Sequence, residues 1–109
     1  MPYRRVDEEE INGTSITIYI LRWFPNSMKS GGNEMPTEDY PPEIRINDGT
    51  RIVKFKKGAE LSDLLPKLKN RNEDVEQDGI KLPRGSLGKI SKALEARANK
   101  IGWILTKQI

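Results

Sequence analysis

The sequence predicts an α+β fold, with a mostly antiparallel sheet of about four strands and two helices in a single small domain. Three observations lead to this prediction. β-branched and aromatic residues fill residues 14–24, alternating apolar residues flank Asp48-Gly49, and apolar residues recur at three- and four-residue steps in two later segments. The chain has 109 residues, which is the size of one domain and suffices to bury about two-thirds of its unfolded surface.

The N-terminal residues 1–13 are polar and acidic, and they end in the turn signal Asn12-Gly13. We therefore expect a flexible acidic arm at 1–13, followed by a single α+β domain over 14–109. The start of the chain turns acidic where a signal peptide would turn apolar. No apolar run approaches the roughly 20 residues that cross a bilayer, so we expect a cytoplasmic protein that does not enter membranes.

Residues 14–24, TSITIYILRWF, are rich in β-branched and aromatic side chains and largely apolar on both faces. This pattern is typical of an inner strand. Residues 25–42 contain prolines, a glycine pair and asparagines but no periodic apolar pattern, which predicts a long loop. Loops of this length are usually functional or disordered, and the scarcity of apolar anchors here favours disorder.

A β-hairpin is predicted around Asp48-Gly49, because this pair between two alternating strands favours a two-residue type I′ turn. The turn would pair Asn47 with Thr50, Ile46 with Arg51, Arg45 with Ile52, and Ile44 with Val53. The expected core face consists of Ile44, Ile46, Val53 and Phe55. The opposite face consists of Arg45, Ile52, Lys54 and Lys56, a cationic surface with one exposed isoleucine. A one-residue slip would reverse the faces of one strand.

The first amphipathic helix is predicted over residues 59–70. Its buried stripe consists of Leu61, Leu64, Leu65 and Leu68. Pro66 should end or bend this helix, because proline cannot donate the hydrogen bond that an inner helical turn requires. Residues 71–79, RNEDVEQDG, are interpreted as a charged connection that Gly79 closes.

The second helix follows Ser86, a residue type that caps helix N-termini. Its apolar stripe consists of Leu87, Ile90, Leu94, Ala98 and Ile101. Gly102 stands where a left-handed C-cap is needed. Residues 103–109, WILTKQI, then predict a terminal strand.

The composition argues against an enzyme. Cysteine and histidine are absent, which excludes disulfides and thiol chemistry and removes the commonest general base and the usual zinc ligands. Residues 7–10 are four consecutive carboxylates, but a flexible arm gives them no fixed geometry for a metal. We therefore predict no catalytic residues, no metal site and no cofactor.

Charge is distributed unevenly along the chain. Residues 1–43 hold four cations and eight acids, a net charge of −4, whereas residues 44–109 hold fifteen cations and eight acids, a net charge of +7. Residues 79–109 carry seven cations and a single acid, Glu95. Such asymmetry between the two halves of a chain indicates an anionic partner.

The predicted nucleic-acid-binding residues lie on the hairpin and on the second helix. Lysine and arginine on one surface neutralise phosphates and release counterions. The helix start adds backbone N–H groups and the positive end of the helix dipole, which together form a candidate anion site. The candidate residues are Arg45, Lys54, Lys56, Arg84, Lys89, Lys92, Arg97 and Lys100.

Residues 85–90, GSLGKI, followed by a helix, Gly102 and a predicted strand, resemble the GxxG element of KH RNA-binding domains. The resemblance covers about a fifth of the chain, and residues 80–84, IKLPR, stand where KH domains have a helix. It implies a glycine-bordered turn that clamps the backbone of a nucleic acid.

Two hypotheses on function follow. The first is a small nucleic-acid-binding protein, of the kind that phages and mobile elements encode, which contacts the phosphates of DNA or RNA while the acidic residues 1–43 limit non-specific binding. The second is a protein-binding adaptor or an inhibitor of a host enzyme, which docks through the acidic arm, the 25–42 loop or a charged surface. An exposed Ile52, together with Ile16, Ile18 and Ile20, would fit such an interface or a homodimer.

Overall fold

A computed structural model describes residues 3–24, 39–70 and 72–105 and confirms the predicted α+β fold class. Four antiparallel strands form a sheet in the order β1-β2-β3-β4, and two short strands, β5 and β6, form a second sheet. The strands are β1 Tyr3–Glu10, β2 Thr17–Phe24, β3 Glu43–Asn47, β4 Ile52–Phe55, β5 Val75–Gln77 and β6 Ile80–Leu82. The helices are α1 Gly58–Lys69 and α2 Leu87–Lys100.

Strand β1 corrects the expectation of a flexible acidic arm at residues 1–13. Its eight residues pair antiparallel with β2, from Tyr3 opposite Phe24 to Glu10 opposite Thr17. The connection is held by Ile11, which is buried and whose N–H donates to the Ile16 carbonyl at 2.9 Å. An edge strand that is bound through its backbone needs no apolar alternation, so a polar and acidic sequence adopts it without a hydrophobic signal.

The β3–β4 hairpin forms as predicted, but the predicted turn and register are wrong by two residues. Asn47 pairs with Ile52, and Ile44 pairs with Phe55. The Asp48 carboxylate accepts hydrogen bonds from the N–H groups of Thr50 (2.8 Å) and Arg51 (2.7 Å). These bonds centre the turn on Gly49 and Thr50, with Gly49 at φ 93°. Because side chains alternate with a period of two, the shift leaves the predicted faces intact.

The segment predicted as a charged connection contains strand β5 and the turn of a second hairpin, and β6 follows it directly. Asp78 and Gly79 have φ values of 47° and 88°, and two positive φ values are what a type I′ turn requires. Ile80 and Leu82 are fully buried in the core. The turn type predicted for the β3–β4 hairpin is thus found between β5 and β6.

Helix α1 buries its predicted stripe, and α2 buries all of its predicted stripe except Ile101, which is partly buried just after the helix. Helix α1 continues through Pro66 to Lys69, so the proline does not end it. Helix α2 ends at Lys100, and Gly102, whose φ is 76°, closes its C-terminus. There the N–H of Gly102 donates to the Asn99 carbonyl at 3.1 Å and the N–H of Trp103 to the Ala98 carbonyl at 2.9 Å, which is the Schellman pattern of a glycine-capped helix.

Two further sequence predictions concern the terminal strand at residues 103–109 and the loop at residues 25–42. Residues Trp103–Leu105 carry no strand, so the part of the predicted terminal strand that the structure describes is absent. Residues 106–109 and most of the predicted 25–42 loop lie outside the described residues.

None of the helices in the described part of the chain is long and apolar enough to cross a membrane.

Both helices pack on one face of the four-stranded sheet, and the core lies between them. Ile18, Ile44, Ile46 and Phe55 of the sheet share this core with the leucines of α1 and α2. The alternate residues of each strand point to the other side. We call that side the outer sheet face; it includes Arg4, Val6, Glu8, Glu10, Tyr19, Leu21, Trp23, Glu43, Arg45, Ile52 and Lys54.

Candidate nucleic-acid interface

Helix α2 presents its polar side away from the sheet, as its amphipathic pattern predicts. Its apolar stripe is buried, whereas Lys89, Lys92 and Lys100 are exposed. The lone acid of this helix, Glu95, pairs with Lys69 of α1 at 3.3 Å. Glu95 therefore pairs with none of the cations of α2. Any acidic partner of these cations lies on another element.

Strand β1 supplies two of those partners, so the charge count over residues 79–109, which contains the single acid Glu95, does not describe the charges around α2. Arg97 donates to Glu9 at 3.1 Å, and Lys100 lies 3.7 Å from Asp7. The side chain of Arg97 is only 16% exposed. Asp7 and Glu9 occupy the alternate positions of β1 that point to the helix side of the sheet, so pairing with β2 carries these carboxylates to the C-terminal half of α2. Arg97 and Lys100 are consequently not presented as unpaired cations.

The start of α2 also differs from the predicted anion site. A 3₁₀ turn at Arg84–Ser86 precedes the helix, and the N–H groups of Ser86 and Leu87 donate to Pro83 and Arg84. The N–H of Arg84 donates to the Asp74 carboxylate at 2.8 Å. The protein's own carboxylate therefore occupies the position that an external anion would take at this helix N-terminus.

Asp74 is the functional group at this end of α2 that the sequence analysis missed. The hydrogen bond from the Arg84 backbone holds the pKa of Asp74 below its usual range, and the Lys81 ammonium at 3.4 Å acts in the same direction. The sequence signal that could have found it is the β5–β6 hairpin, because this hairpin returns the chain from Asp74 to Arg84.

Three cations remain at the start of α2, and we call them the helix-start patch: Arg84, Lys89 and Lys92. Their side chains make no ion pair within the described residues, although the charge of Arg84 acts on nearby Asp74. They line a shallow pocket together with Gly85 and Gly88. A Cβ at Gly85 would meet no atom within 4 Å, so a ligand can approach the backbone at Gly85.

The hairpin cations lie on a different side of the molecule. Arg45 and Lys54 are neighbours on the outer sheet face, whereas the helices cover the opposite face. Arg45 pairs with Glu43 at 2.9 Å, while Lys54 is exposed. Lys56 is exposed just after β4. The eight predicted residues therefore do not form one surface; they divide into the helix-start patch, the pairs beneath β1 and the hairpin.

The described residues contain no group of three or more acidic side chains that could hold a metal ion. A comparison with known proteins finds no matching family model, no similar curated protein and no similar solved structure. Any function assigned to the chain must therefore be argued from its own geometry.

The Asp74 cap predicts a specific pH dependence of stability. Because the pKa of Asp74 is lower in the folded state, its charge stabilises the fold fully above its unfolded pKa of about 3.9, and this contribution is lost as the pH falls through the folded pKa. Asp74→Asn removes the charge but keeps an acceptor for Arg84. Urea unfolding at several pH values should show wild type more stable than Asp74→Asn at pH 7, with the difference vanishing in acid.

Asp74→Ala provides the control for the hydrogen bond itself. It removes the acceptor as well as the charge, so it should be less stable than Asp74→Asn at every pH. A difference between wild type and Asp74→Asn that stayed constant from neutral to strongly acidic pH would show that the carboxylate charge does not stabilise the start of α2.

Proposed function

We propose that this chain binds nucleic acid through the phosphates, using the helix-start patch as its principal contact. The observation that supports the proposal is that Lys89 and Lys92 are exposed on the first two turns of α2 and form no ion pair within the described residues. Arg84 and the accessible glycine backbone lie beside them in one shallow pocket. Phosphate is the abundant biological anion that such a cluster neutralises.

The size of the patch limits what the interaction achieves. Each neutralised phosphate contributes about 0.9 to the slope of log K against log salt concentration on duplex DNA. Three cations therefore give a salt slope of about 3 and a modest affinity that depends strongly on ionic strength. Contacts to phosphate fix position and orientation and carry no direct sequence information, so binding of this kind is sequence-independent.

The double substitution Lys89→Gln/Lys92→Gln tests the patch. We expect weaker binding to every oligonucleotide and a salt slope lower by about 1.8, because two phosphate contacts are lost. Fluorescence anisotropy with labelled single- and double-stranded oligonucleotides at several salt concentrations measures both quantities.

The matched control is Lys57→Gln/Lys67→Gln, which removes the same charge from two exposed lysines outside the patch. It should leave the salt slope nearly unchanged. Equal losses in the two double variants would indicate that only net charge matters. Unchanged binding after the α2 substitutions would exclude the patch as the contact.

The sequence analysis expected the acidic residues 1–43 to limit non-specific binding. We propose that strand β1 does so by pairing with cations of α2. Glu9 pairs with Arg97, and Asp7 lies 3.7 Å from Lys100 while also pairing with Arg22 at 3.2 Å. Asp7→Asn/Glu9→Gln should leave Arg97 and Lys100 available to phosphate, tighten binding about two- to tenfold at low salt, and steepen the salt slope. Circular dichroism checks that the variant remains folded, and the same anisotropy titration reads the affinity.

Asp63→Asn/Glu76→Gln is the control for this variant. It makes the same change in net charge at two exposed acids that form no ion pair within the described residues. If both double variants tighten binding equally, the effect comes from overall charge and the contacts of β1 with α2 have no masking role.

We propose protein binding, as an adaptor or inhibitor, as the second candidate function. Ile52 is 50% exposed, as the sequence predicted, and supports this proposal together with Val6, which is 45% exposed on the same outer sheet face. Ile16, Ile18 and Ile20, which the hypothesis also invoked, are buried and lend it no support. Immobilised wild-type chain should retain a partner protein after nuclease treatment and a high-salt wash; complete loss of bound protein under those conditions would contradict this candidate.

A further inference from the structure

The outer sheet face is covered by neither helix, because both pack on the opposite side. Exposed apolar side chains lie at both of its edges: Val6 on β1 is 45% exposed and Ile52 on β4 is 50% exposed. Tyr19 and Trp23 are half-buried between them, and Trp23 is in ring contact with Tyr40 at 5.8 Å. Apolar and aromatic side chains interspersed with charges are the composition of a protein–protein interface.

The charges on this face follow a pattern across the strands. Strand pairing places one residue of each strand in a single row, in the order Glu8, Tyr19, Arg45 and Lys54. The acid stands at the β1 edge and the cations stand on β3 and β4. Glu10 adds a second acid at the β1 edge of the same face. The face is therefore acidic at one edge and basic towards the other.

We propose that the outer sheet face pairs with the same face of a second copy of this chain, about a twofold axis parallel to the strands. Such an axis lays β1 of one copy over β4 of the other. Glu8 then meets Lys54 of the second copy, and the Tyr19 ring meets Arg45 of the second copy. The contact is isologous, so each interaction occurs twice. Two sheets stacked in this way pack about 10 Å apart at an angle of about −30°.

A second copy fits the charges of this face better than a nucleic acid does. The acids Glu8, Glu10 and Glu43 would repel phosphate, and Arg45 is already neutralised by Glu43 at 2.9 Å. Acids and cations are interspersed on this side of the sheet, where Arg4 and Lys56 also lie, so a polyanion meets no uniformly positive surface. After the twofold rotation Glu8 instead faces Lys54 of the second copy, in a contact that occurs twice, as an isologous interface requires, and Glu10 faces Ile52 of the second copy.

Charge exchange tests the proposal. Glu8→Lys places a lysine opposite Lys54 of the second copy, and Lys54→Glu places a glutamate opposite Glu8. Each single variant should weaken the dimer roughly tenfold, because two symmetric attractions become repulsions. The double variant Glu8→Lys/Lys54→Glu should restore wild-type association, and an equimolar mixture of the two single variants should form a heterodimer. Sedimentation equilibrium at low salt measures all four.

Restored association in the double variant Glu8→Lys/Lys54→Glu would be specific to pairing between two copies. β1 and β4 are the opposite edges of the sheet, three strand spacings or about 14 Å apart. Glu8 and Lys54 of one chain are therefore too far apart to pair with each other, and a fold defect in a single variant would not be repaired by the second substitution. Lys89→Gln/Lys92→Gln should dimerise like wild type, so the outcome is independent of the proposed nucleic-acid contact.

Three results would overturn the proposal. The first is a wild-type chain that stays monomeric up to about 1 mM, which would place any dimer dissociation constant above about 1 mM. The second is a dimer that none of the charge exchanges affects, since such a dimer uses another surface. The third is a monomer whose Trp23 emission, isolated by Trp103→Phe, is quenched by a single-stranded oligonucleotide, which would assign the outer sheet face to stacking on bases.

Discussion

The packing of both helices on one face of the four-stranded sheet determines the rest of this structure. The two helices cover one face of the sheet. Their leucines pack over Ile18, Ile44, Ile46 and Phe55 of that face. The other face is then left to solvent or to a partner. The same packing sets the charge contacts, because it brings the cationic side of α2 near the alternate residues of the edge strand β1.

The parts of the fold that could be predicted from the sequence are those that depend on hydrophobic period. The buried residues of the hairpin follow from a side-chain period of 2, and those of α1 and α2 follow from a period of 3.6. The register shift of two residues left the hairpin faces unchanged. The register itself was decided by the Asp48 carboxylate, which binds two backbone N–H groups of the turn. Strand β1 gave no apolar signal, since backbone pairing and ion pairs hold it.

The candidate site was predicted less well than the fold, and the reason is physical. Charge counted along the chain found a single acid near α2, but ion pairs form in space. Arg97 and its partner Glu9 are separated by 88 residues in sequence and by 3.1 Å in the structure. The pairing of β1 with β2 brings Glu9 to Arg97. The sequence analysis interpreted residues 3–10 as part of a flexible arm and so missed this contact. Lys89 and Lys92 lie nearer the start of α2 and form no ion pair with β1.

The two proposed surfaces are compatible because they lie in different layers of the molecule. The helix-start patch belongs to the helical layer, whereas the self-complementary charges lie on the outer sheet face. Stacking two outer sheet faces places both helical layers on the outside of the dimer, where each keeps its patch exposed. A nucleic acid that reached both patches would bind the second at an effective concentration set by the rigid dimer. In that way three weakly binding cations per chain could give useful avidity without any additional contact.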